Sequence, residues 1–384
     1  MPTDVDLLIL GGGCAGLSLA MQLVQHQQRA PRTLILEQRS HYGDDRTWCF
    51  WGDDSTPFAD LAGHQWSAVS VRNEGHVARL DCSAAPYRML ASEAFYSAAC
   101  AAISDAPRLL LKMNSPLLSE AVFKGDFWHV ETPSGSVSAA MVVDTRPLTP
   151  TATGAVLWQS FHGHEIECEQ AVFEPDCVEL MHFSNADSEL VAFTYVLPLS
   201  RTRALVEFTT FAVQPLSAAA LKDALNDAIA KRVKGADFTL LRSEHGVLPM
   251  GLAATPGAAV SLNSSSSYCR AGLFAGAARP ATGYAFQRIQ RWAADCAAVL
   301  AGGGAPIGHQ HDPCFLAWMD RLFLHVIQGQ PSLAPQLFVD MFDRVEPQRL
   351  IRFLSDRGRL IDYLSIALAL PFQPFVQQLF RRRS

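Results

Sequence analysis

Three glycines near the start of the chain have the spacing of a dinucleotide-binding turn. Gly11, Gly13 and Gly16 follow an apolar run, Leu7–Leu10, and precede a segment of helical periodicity. The first glycine permits a tight turn, the second lets the backbone approach a pyrophosphate, and the third lets the helix pack against the strand. A second apolar run ends in Glu37, about 20 residues further on, where such folds place the carboxylate that binds a ribose. The pattern therefore predicts a strand–turn–helix–strand unit that holds a dinucleotide.

Glu207 is the exception in an otherwise largely apolar strand pattern. Leu205, Glu207, Thr209 and Phe211 share one face of the strand, because successive side chains of a strand point to opposite sides. If this face is buried, the pKa of Glu207 rises above its ordinary value, which favours the neutral acid. A neutral carboxylic acid in a dry pocket is a candidate proton donor. The alternative is a strand glutamate that faces solvent.

A later segment, LFAGAARPATGYAFQRIQRW, predicts a second piece of the nucleotide site. We expect a strand that ends at Gly276, a turn through Pro280 and Gly283, and a helix that begins at Tyr284. The N–H groups at the start of that helix would face a bound cofactor. If the cofactor is a flavin, they would stabilise negative charge on its reduced form. The alternative is an ordinary strand–turn–helix connection.

Four stretches of the sequence resemble the bacterial lycopene beta-cyclases. The first is the GGGCAG turn with Glu37, which many flavoproteins share. The second is Asp45–Phe50 (DRTWCF), similar to the x-T-W-x-F segment of that family. The third is Tyr195–Glu207, similar to a hairpin whose second strand bears the catalytic glutamate, and the fourth is Pro280–Tyr284, similar to a P-x-T-G-Y turn. Apolar and aromatic positions after Asp320 also resemble the helical tail of the family, so the resemblance spans nearly the whole chain.

The resemblance implies a flavoprotein with the glutathione-reductase type of fold and an enzyme that closes the end group of a linear polyene. It implies FAD as the cofactor, active in the reduced form and with NAD(P)H as a reductant, and a hydrophobic polyene or terpenoid as the substrate. Glu207 is the residue that would act as the catalytic acid. The expected cofactor-binding residues are Gly11, Gly13, Cys14, Ala15, Gly16, Glu37, Arg46, Trp48, Asp144, Gly276, Pro280, Thr282, Gly283 and Tyr284.

The chain departs from the family pattern in two places. Family members usually carry a second acid directly after the catalytic glutamate, whereas Phe208 and Thr209 follow Glu207 here. The strand that ends at Asp144 continues Thr-Arg-Pro, where family members more often have Asp-x-Arg-Gly. The first difference bears on how the acid and base roles are divided and on which substrate is bound.

The order of the predicted elements indicates an α/β fold. Residues 1–150 and 240–312 are expected to form a discontinuous FAD-binding domain of the Rossmann type. Consecutive strand patterns within 151–239 (AVLWQSFHGHEI, AVFEP, VELMHF, VAFTYVLPL and RALVEFTTF) indicate an antiparallel sheet on the substrate side. Ser217 is expected to cap a helix that ends at Val233. Residues 313–384 are expected to be mostly helical.

Composition narrows the class of protein further. The 384 residues are 49% hydrophobic and 18% charged, with a formal net charge of −6, which argues against nucleic acid as a partner. Nine cysteines without a C-x-x-C spacing fit a reducing compartment, and no signal peptide or plain membrane-spanning segment is recognised. We therefore expect a cytoplasmic protein.

The end of the chain suggests contact with a membrane surface. Leu364–Phe380 carries no charge and contains two prolines, and Arg381–Arg383 follow it. An apolar segment closed by a basic cluster can rest on an anionic lipid surface. The alternative is a buried C-terminal segment with a solvated tail.

Weaker signals point elsewhere. The pairs His162/His164 and His309/His311 lack a clear third ligand, so a metal site is not expected. Arg46 and Arg146 either contact the cofactor or form surface ion pairs. Either the pocket or the core contains the aromatic residues Trp48, Phe50 and Trp51. Glu244 precedes a Gly-x-x-Pro turn, so we interpret it as a structural residue.

Three hypotheses about the function are compatible with the sequence. One is cyclisation of a polyene or another terpenoid. The second is an FAD-dependent monooxygenase or halogenase of the same broad fold, although the Gly-Asp pair usual in the late flavin segment of such enzymes is replaced by Gly276-Ala277. The third is a non-catalytic flavin-binding carrier.

Overall fold

The computed structural model describes residues 3–147, 154–184, 189–252 and 267–381. The described strands, in chain order, are β1 (Thr3–Leu10), β2 (Thr33–Leu36), β3 (Thr47–Trp51), β4 (His64–Trp66), β5 (Ala68–Arg72), β6 (Val77–Asp81), β7 (Tyr87–Ala91), β8 (Leu109–Lys112), β9 (Val122–Lys124), β10 (Phe127–Thr132), β11 (Gly135–Asp144), β12 (Leu157–Cys168), β13 (Val178–His182), β14 (Val191–Pro198), β15 (Arg203–Ala212), β16 (Phe238–Met250) and β17 (Tyr268–Arg270).

Among the described residues, two α-helices lie between strands in the first half of the chain, and most of the others follow the last strand. They are α1 (Cys14–Gln25), α2 (Ser92–Ser104), α3 (Ala218–Val233), α4 (Phe286–Ala301), α5 (Cys314–Gly329), α6 (Ala334–Arg344), α7 (Pro347–Leu354), α8 (Leu360–Ala369) and α9 (Phe372–Arg381). The predicted cap of α3 is confirmed, since Ser217 Oγ accepts a hydrogen bond from the Ala220 N–H at 3.2 Å.

The first sheet is the dinucleotide-binding sheet, and it confirms the predicted strand–helix–strand unit. Its strand order is β8-β2-β1-β11-β10-β9, with β17 paired to β11. β1 runs parallel to both β2 and β11, so the carboxyl ends of these three strands meet at one edge. Helices α1, α2 and α4 bury their apolar faces against one side of the sheet, over side chains such as Leu7, Ile9 and Ile35. The fold is therefore a mixed α/β fold of the Rossmann type.

The second sheet carries Glu207 and draws on more of the chain than the predicted range of 151–239. Its order is β16-β12-β15-β14-β13-β5-β6. β5 and β6 lie far earlier in the sequence and join through a parallel pairing of Val69 with Val178. β16 follows the predicted range and pairs along the length of β12. A third sheet, β3-β7-β4, lies in the connection between the two large ones.

The C-terminal helices cover the second sheet. Leu324, Phe338 and Leu350 of α5–α7 share one apolar core with Leu205 and Phe211 of β15. On the opposite side of the sheet, Ala204 and Val206 pack against α3. The predicted alternation of β15 is therefore confirmed, and the face that carries Glu207 looks towards the helical region. Within the described residues no single helix has the length and apolar character to cross a bilayer; α8 and Phe372–Phe380 satisfy that test only as a pair bent by 96°.

Three local predictions were wrong. The AVFEP segment forms no strand, because the N–H groups of Val172 and Phe173 both bond to the carbonyl of Arg201. The late strand ends at Arg270 rather than Gly276. Left-handed backbone at Gly272 and Gly276, both with φ of +90°, brackets a short 3₁₀ turn instead. Helix α4 begins at Phe286 rather than Tyr284, since the Tyr284 carbonyl accepts a hydrogen bond from the Arg279 N–H.

The remaining boundaries of the predictions fall partly outside the described residues. Arg382 and Arg383 of the predicted basic cluster lie there, as does the boundary at residues 150 and 151.

Candidate functional site

The three glycines of the first turn occupy positions that suit their predicted roles. Gly11 has a φ of +98°, which glycine adopts without strain, and its N–H bonds to the Leu36 carbonyl at 2.9 Å. A Cβ at Gly13 would meet nothing within 4 Å, so open space lies before the start of α1. A Cβ at Gly16 would collide with the Gly11 carbonyl oxygen, so only glycine lets α1 lie this close to the turn.

Glu37 closes the far side of this turn. Its Oε2 accepts a hydrogen bond from the Gly12 N–H at 2.8 Å, and its Oε1 accepts hydrogen bonds from the N–H and Nε of Arg39. Burial would raise the pKa of Glu37, but the bonds from Arg39 and Gly12 outweigh it and hold the pKa below its ordinary value. A carboxylate is therefore held ready at the end of β2, as the fingerprint requires.

One cavity of about 920 Å³ connects this turn with the second sheet. Gly272 and the Thr282–Tyr284 turn lie on its other wall, and His309 Nε2 accepts the Gly272 N–H at 2.9 Å. The predicted site residues that line the cavity are Gly11, Gly13, Cys14, Ala15, Glu37, Arg46, Trp48, Glu207, Thr282, Gly283 and Tyr284. The predicted cofactor residues and the predicted acid thus share one space.

Four predicted cofactor residues are not among those that line the cavity. Gly16 acts through helix packing, and Gly276 ends the 3₁₀ turn. The Pro280 carbonyl accepts a hydrogen bond from Gly251. Asp144 has no exposed surface.

The carboxylate of Asp144 is held by other side chains. It accepts hydrogen bonds from Arg146, Arg270 and the Tyr268 hydroxyl. Burial would raise the pKa of Asp144, but Arg146 and Arg270 together keep it below its ordinary value. Asp144 thus positions Arg146, which does line the cavity.

Glu207 lies in a row of four residues that crosses four neighbouring strands. The order is Glu244 on β16, Gly163 on β12, Glu207 on β15 and Tyr195 on β14, each directly opposite the next. A Cβ at Gly163 would fall 2.7 Å from Glu207 Cγ, so the side chain of Glu207 lies over the glycine on the side of Glu244. A missing side chain therefore lets two carboxyl groups from non-adjacent strands meet.

The surroundings of Glu207 favour its neutral form. Its side chain is buried, with 8% of the residue exposed. Burial raises the pKa of Glu207 well above its ordinary value, the neighbouring Glu244 raises it further, and Arg242 lowers it only in part. The environment therefore favours a carboxylic acid with a proton to donate, as the strand pattern predicted.

Glu244 lies in the candidate site beside Glu207, and sequence reasoning did not place it there. No turn follows it, because β16 continues to Met250. Its Oε2 accepts hydrogen bonds from Arg242 and from Thr47 Oγ1, the latter at 2.8 Å. Arg242 in turn bonds to Glu165 at 2.7 Å. The structural interpretation of Glu244 was incomplete, since the same side chain also forms one wall of the cavity beside Glu207.

Aromatic and apolar side chains line the rest of the cavity around the acid. The hydroxyls of Tyr87 and Tyr195 lie 3.2 Å apart, and Tyr195 also donates to Cys49 Sγ at 3.3 Å. Of the predicted lining aromatics, Trp48 lies at the cavity, whereas Phe50 and Trp51 are buried in the core. The apolar lining residues include Phe193, Phe211, Phe338, Met341, Phe342 and Leu354.

The family model described as lycopene cyclase protein matches residues 6–380, nearly the whole chain. The chain belongs to the lycopene cyclase family. It is 28% identical to a lycopene beta-cyclase of Pantoea ananas over 303 residues, which is 74% of this chain and 72% of that protein. It is 29% identical to a lycopene beta-cyclase of Pseudescherichia vulneris over 289 residues, which is 73% of this chain and 70% of that protein.

The fold of this lycopene cyclase-like enzyme is shared with flavin-dependent enzymes. The flavin-dependent monooxygenase PieE, solved in complex with FAD and substrate, superposes with a TM-score of 0.62 at 13% identity, over 96% of this chain and 72% of that chain. At that identity the likeness concerns the fold alone. The predicted membership of a cyclase family within the flavoprotein fold is confirmed.

The paired histidines are not brought together with a third candidate ligand in the part of the chain that the structure describes. Among the described residues, no group of three or more His, Cys, Asp or Glu side chains is placed to hold a metal ion. His162 Nδ1 lies 3.1 Å from the Ala218 carbonyl, which ties β12 to the start of α3.

Proposed function

We propose that this lycopene cyclase-like enzyme converts the linear end group of a polyene isoprenoid into a β-ring, with lycopene as the substrate and FAD as the cofactor. The supporting observation is that Glu207, a buried acid whose surroundings keep its proton, lies in the same cavity as the dinucleotide-binding turn. The reaction is a rearrangement without net oxidation or reduction, so the product has the same composition as the substrate.

The residues that line the cavity fit FAD. Gly13 offers open space and the start of α1 offers backbone N–H groups to a pyrophosphate, while Glu37 is placed for a ribose. Gly272 and Thr282–Tyr284 would hold the flavin end at the opposite wall. Bound FAD in its reduced form would supply negative charge close to a developing cation. NAD(P)H is the reductant that we propose.

Glu207 would begin the reaction by giving its proton to the terminal carbon–carbon double bond of the polyene. A tertiary cation results, and the electron pair of a neighbouring double bond attacks it to close a six-membered ring. Transfer of a proton from a ring carbon back to the Glu207 carboxylate restores a double bond and neutralises the cation. Glu207 gives up one proton and takes one back, so the charges and atoms balance and the acid is regenerated.

The rest of the cavity wall would protect this cation. Phe193, Phe211 and Phe338 present ring faces or edges to the space beyond Glu207. Aromatic faces attract a cation by about 0.5–2 kcal/mol each, more strongly where water is excluded. The same apolar side chains fit a hydrocarbon chain and leave few groups that could hold water beside the reacting carbon.

We also propose that α8 and α9 rest on the inner face of a membrane, where the polyene is dissolved. Leu360, Leu364 and Leu368 lie on one face of α8 and are 77%, 55% and 84% exposed. On α9, Phe372 and Phe380 are 78% and 66% exposed. Helix α8 packs against α6, which carries the cavity-lining residues Phe338 and Met341. The exposed apolar surface is thus one helix away from the apolar end of the cavity.

The test is an anaerobic incubation of the purified protein with lycopene in liposomes, FAD and dithionite or NADPH, with the products separated by chromatography. We expect monocyclic or bicyclic carotene of unchanged mass from the wild type and none from Glu207→Gln, which should still bind FAD. Bound FAD with unchanged lycopene would contradict the assignment of lycopene as the substrate. Product that forms only with oxygen, together with NADPH consumption, would instead indicate the monooxygenase.

Membrane contact has a separate test. Flotation with liposomes that contain anionic lipid should carry the wild type upwards and leave Leu364→Glu/Leu368→Glu at the bottom of the gradient. Cyclisation of lycopene in detergent micelles should be retained in that variant. Equal flotation of both proteins would contradict the assignment of this surface.

A further inference from the structure

We propose that Glu207 and Glu244 act as a pair that holds one proton between them, with Glu244 as a positioning residue that keeps the proton on Glu207. The inference rests on the proposed cyclisation for its catalytic meaning, but its structural content can be tested without substrate. It also explains how this chain manages without a second acid directly after Glu207.

The register of the sheet brings Glu207 and Glu244 to the same place. Gly163 stands directly between Glu207 and Glu244, on the strand that separates theirs. Any other residue at that position would place a Cβ 2.7 Å from Glu207 Cγ and 3.3 Å from its Oε1. The glycine therefore opens the space through which one carboxyl group reaches the other.

Other side chains hold the carboxylate of Glu244 in place. Arg242 and Thr47 both donate hydrogen bonds to its Oε2, and neither of them bonds to its Oε1. Arg242 is itself held by Glu165 and by an ion pair with Asp44 at 3.2 Å. Besides Glu244, Arg242 is the charged group that acts on Glu207. Two neighbouring carboxylates in a buried site cannot both ionise readily, so the pair holds a proton.

Three further titratable side chains lie near Glu207. Tyr195 faces it from β14 and Cys49 from β3, and Tyr87 stands behind Tyr195. Burial raises the pKa of the Cys49 thiol to about 12 and raises the pKa values of both tyrosines well above their ordinary value. These groups are neutral at physiological pH. The charge on the acid is therefore governed by Glu244 on one side and by Arg242 behind it.

The pair predicts shifts of opposite sign in two variants. Glu244→Gln removes the negative neighbour, so Glu207 should lose its proton at a lower pH, by about one unit or more. Arg242→Gln removes the positive neighbour and should shift the loss of the proton to higher pH. Glu165→Gln is the control, because it removes a comparable partner of Arg242 but lies in the next row of the sheet. In this control variant, the pH at which Glu207 loses its proton should be the same as in the wild type.

The primary measurement is infrared spectroscopy of the FAD-loaded protein without substrate. The carbonyl band of a protonated carboxyl group is assigned to Glu207 by its loss in Glu207→Gln, and it is then titrated in each variant. We expect the midpoint of Glu244→Gln to fall and that of Arg242→Gln to rise relative to the wild type. An unchanged or raised midpoint in Glu244→Gln would overturn the pair, whether or not the protein cyclises lycopene.

Activity supplies a second readout. The alkaline limb of the pH–rate profile should move with the same sign and size as the infrared midpoint, because the protonated form is the active one. Lack of activity in the wild type at every pH, with the infrared shifts intact, would refute the proposed function and leave the pair standing. A Glu244→Gln variant that loses activity equally at all pH values, with an unmoved infrared midpoint, would show a merely structural role.

Discussion

Arg279 and Asp320 form a buried two-pronged ion pair that ties the cofactor turn to the C-terminal helices. Arg279 Nε lies 3.1 Å from Oδ2 of Asp320, and Nη2 lies 3.2 Å from Oδ1. The guanidinium also lies 4.0 Å from the centre of the Phe353 ring. Because Arg279 directly precedes Pro280–Tyr284 and Asp320 lies on α5, the position of the turn depends on the helical region.

Arg279→Met should destabilise the protein strongly. Burial raises the pKa of Asp320, and Arg279 opposes that effect, so removal of the arginine leaves a buried carboxyl group without its partner. We expect a loss of about 3–5 kcal/mol in the free energy of unfolding, measured in urea. The double variant Arg279→Met/Asp320→Leu should recover part of the loss. If the single and double variants are equally unstable, the ion pair is not the cause.

Gly13→Ala and Gly16→Ala should separate cofactor binding from folding. Gly13 has extended backbone angles, φ −83° and ψ −167°, and a Cβ there meets only open space, so the alanine variant should fold normally. The added methyl group would occupy the approach of the pyrophosphate, and FAD affinity should fall on the order of tenfold, about 1.4 kcal/mol. FAD binding is measured by flavin fluorescence. An unchanged affinity would place the phosphates elsewhere.

Gly16→Ala should instead cost stability, because its Cβ collides with the Gly11 carbonyl. We expect a loss of about 1–3 kcal/mol in the free energy of unfolding of the protein without FAD. Thermal unfolding of the two glycine variants side by side provides the comparison. Equal melting temperatures would contradict the close packing of α1 on the turn.

His309 should make the protein sensitive to acid. Burial and the nearby Arg288 lower the pKa of His309 to about 3, so it stays neutral in the folded protein and accepts the Gly272 N–H. Below its ordinary pKa of 6.5 the unfolded chain takes up a proton that the folded chain does not. Stability is therefore present above that pH and falls by about 1.4 kcal/mol per pH unit below it, until the pH reaches the folded value.

The variant His309→Gln keeps an acceptor for Gly272 and removes the titration. Its free energy of unfolding should depend less on pH between 6.5 and 4 than that of the wild type. His311→Gln, at an exposed position two residues away, serves as the control and should behave like the wild type. Parallel curves for the wild type and His309→Gln would contradict the buried neutral histidine.

Glu207 should make the free energy of unfolding of the protein fall as the pH rises. Its folded pKa lies well above the ordinary 4.5, so below pH 4.5 both states are protonated and nothing is lost. Above it the unfolded chain ionises while the folded chain does not, and stability falls by up to about 1.4 kcal/mol per pH unit until the folded pKa is passed. Glu207→Gln should therefore gain stability over the wild type as the pH rises from 4.5.

The measurement is urea unfolding of both proteins from pH 4.5 to 8, with Glu174→Gln at an exposed site as control. The control should show no such gain. A constant difference between the wild type and Glu207→Gln across this range would mean that the carboxyl group ionises in the folded protein much as it does in the unfolded chain.

The local features of the fold were predictable, whereas the pairing of distant segments was not. Apolar runs and glycine spacing predicted β1, α1 and β2, because strand, turn and helix signals act over a few residues. The alternation in β15 likewise predicted which face carries Glu207. Glu244 was missed because it meets Glu207 only through Gly163, and no local pattern records which strands become neighbours.

The same limit explains the errors around the late motif. Apolar residues at Leu273–Ala275 resemble a strand, but the positive φ angles of Gly272 and Gly276 turn the chain at both ends. Glycine permits such angles without requiring them, so the sequence alone leaves both conformations available. AVFEP is a second case. The N–H groups of Val172 and Phe173 bond to the carbonyl of Arg201 and not to a neighbouring strand, and no local pattern predicts that contact.

The interleaved second sheet sets the order in which the protein can assemble during synthesis. β5 and β6 leave the ribosome early and pair with each other, but they have no other neighbour in this sheet until β13 follows about 100 residues later. The row that contains Glu207 is complete only when β16 has emerged, after Met250. Until β13 and β16 emerge, one edge of β5 and one edge of β12 stay open to other chains, a state that favours aggregation. A fragment limited to residues 151–239 would lack β5, β6 and most of β16, so the edges of β12 and β13 would stay open in it, and it would not contain Glu244.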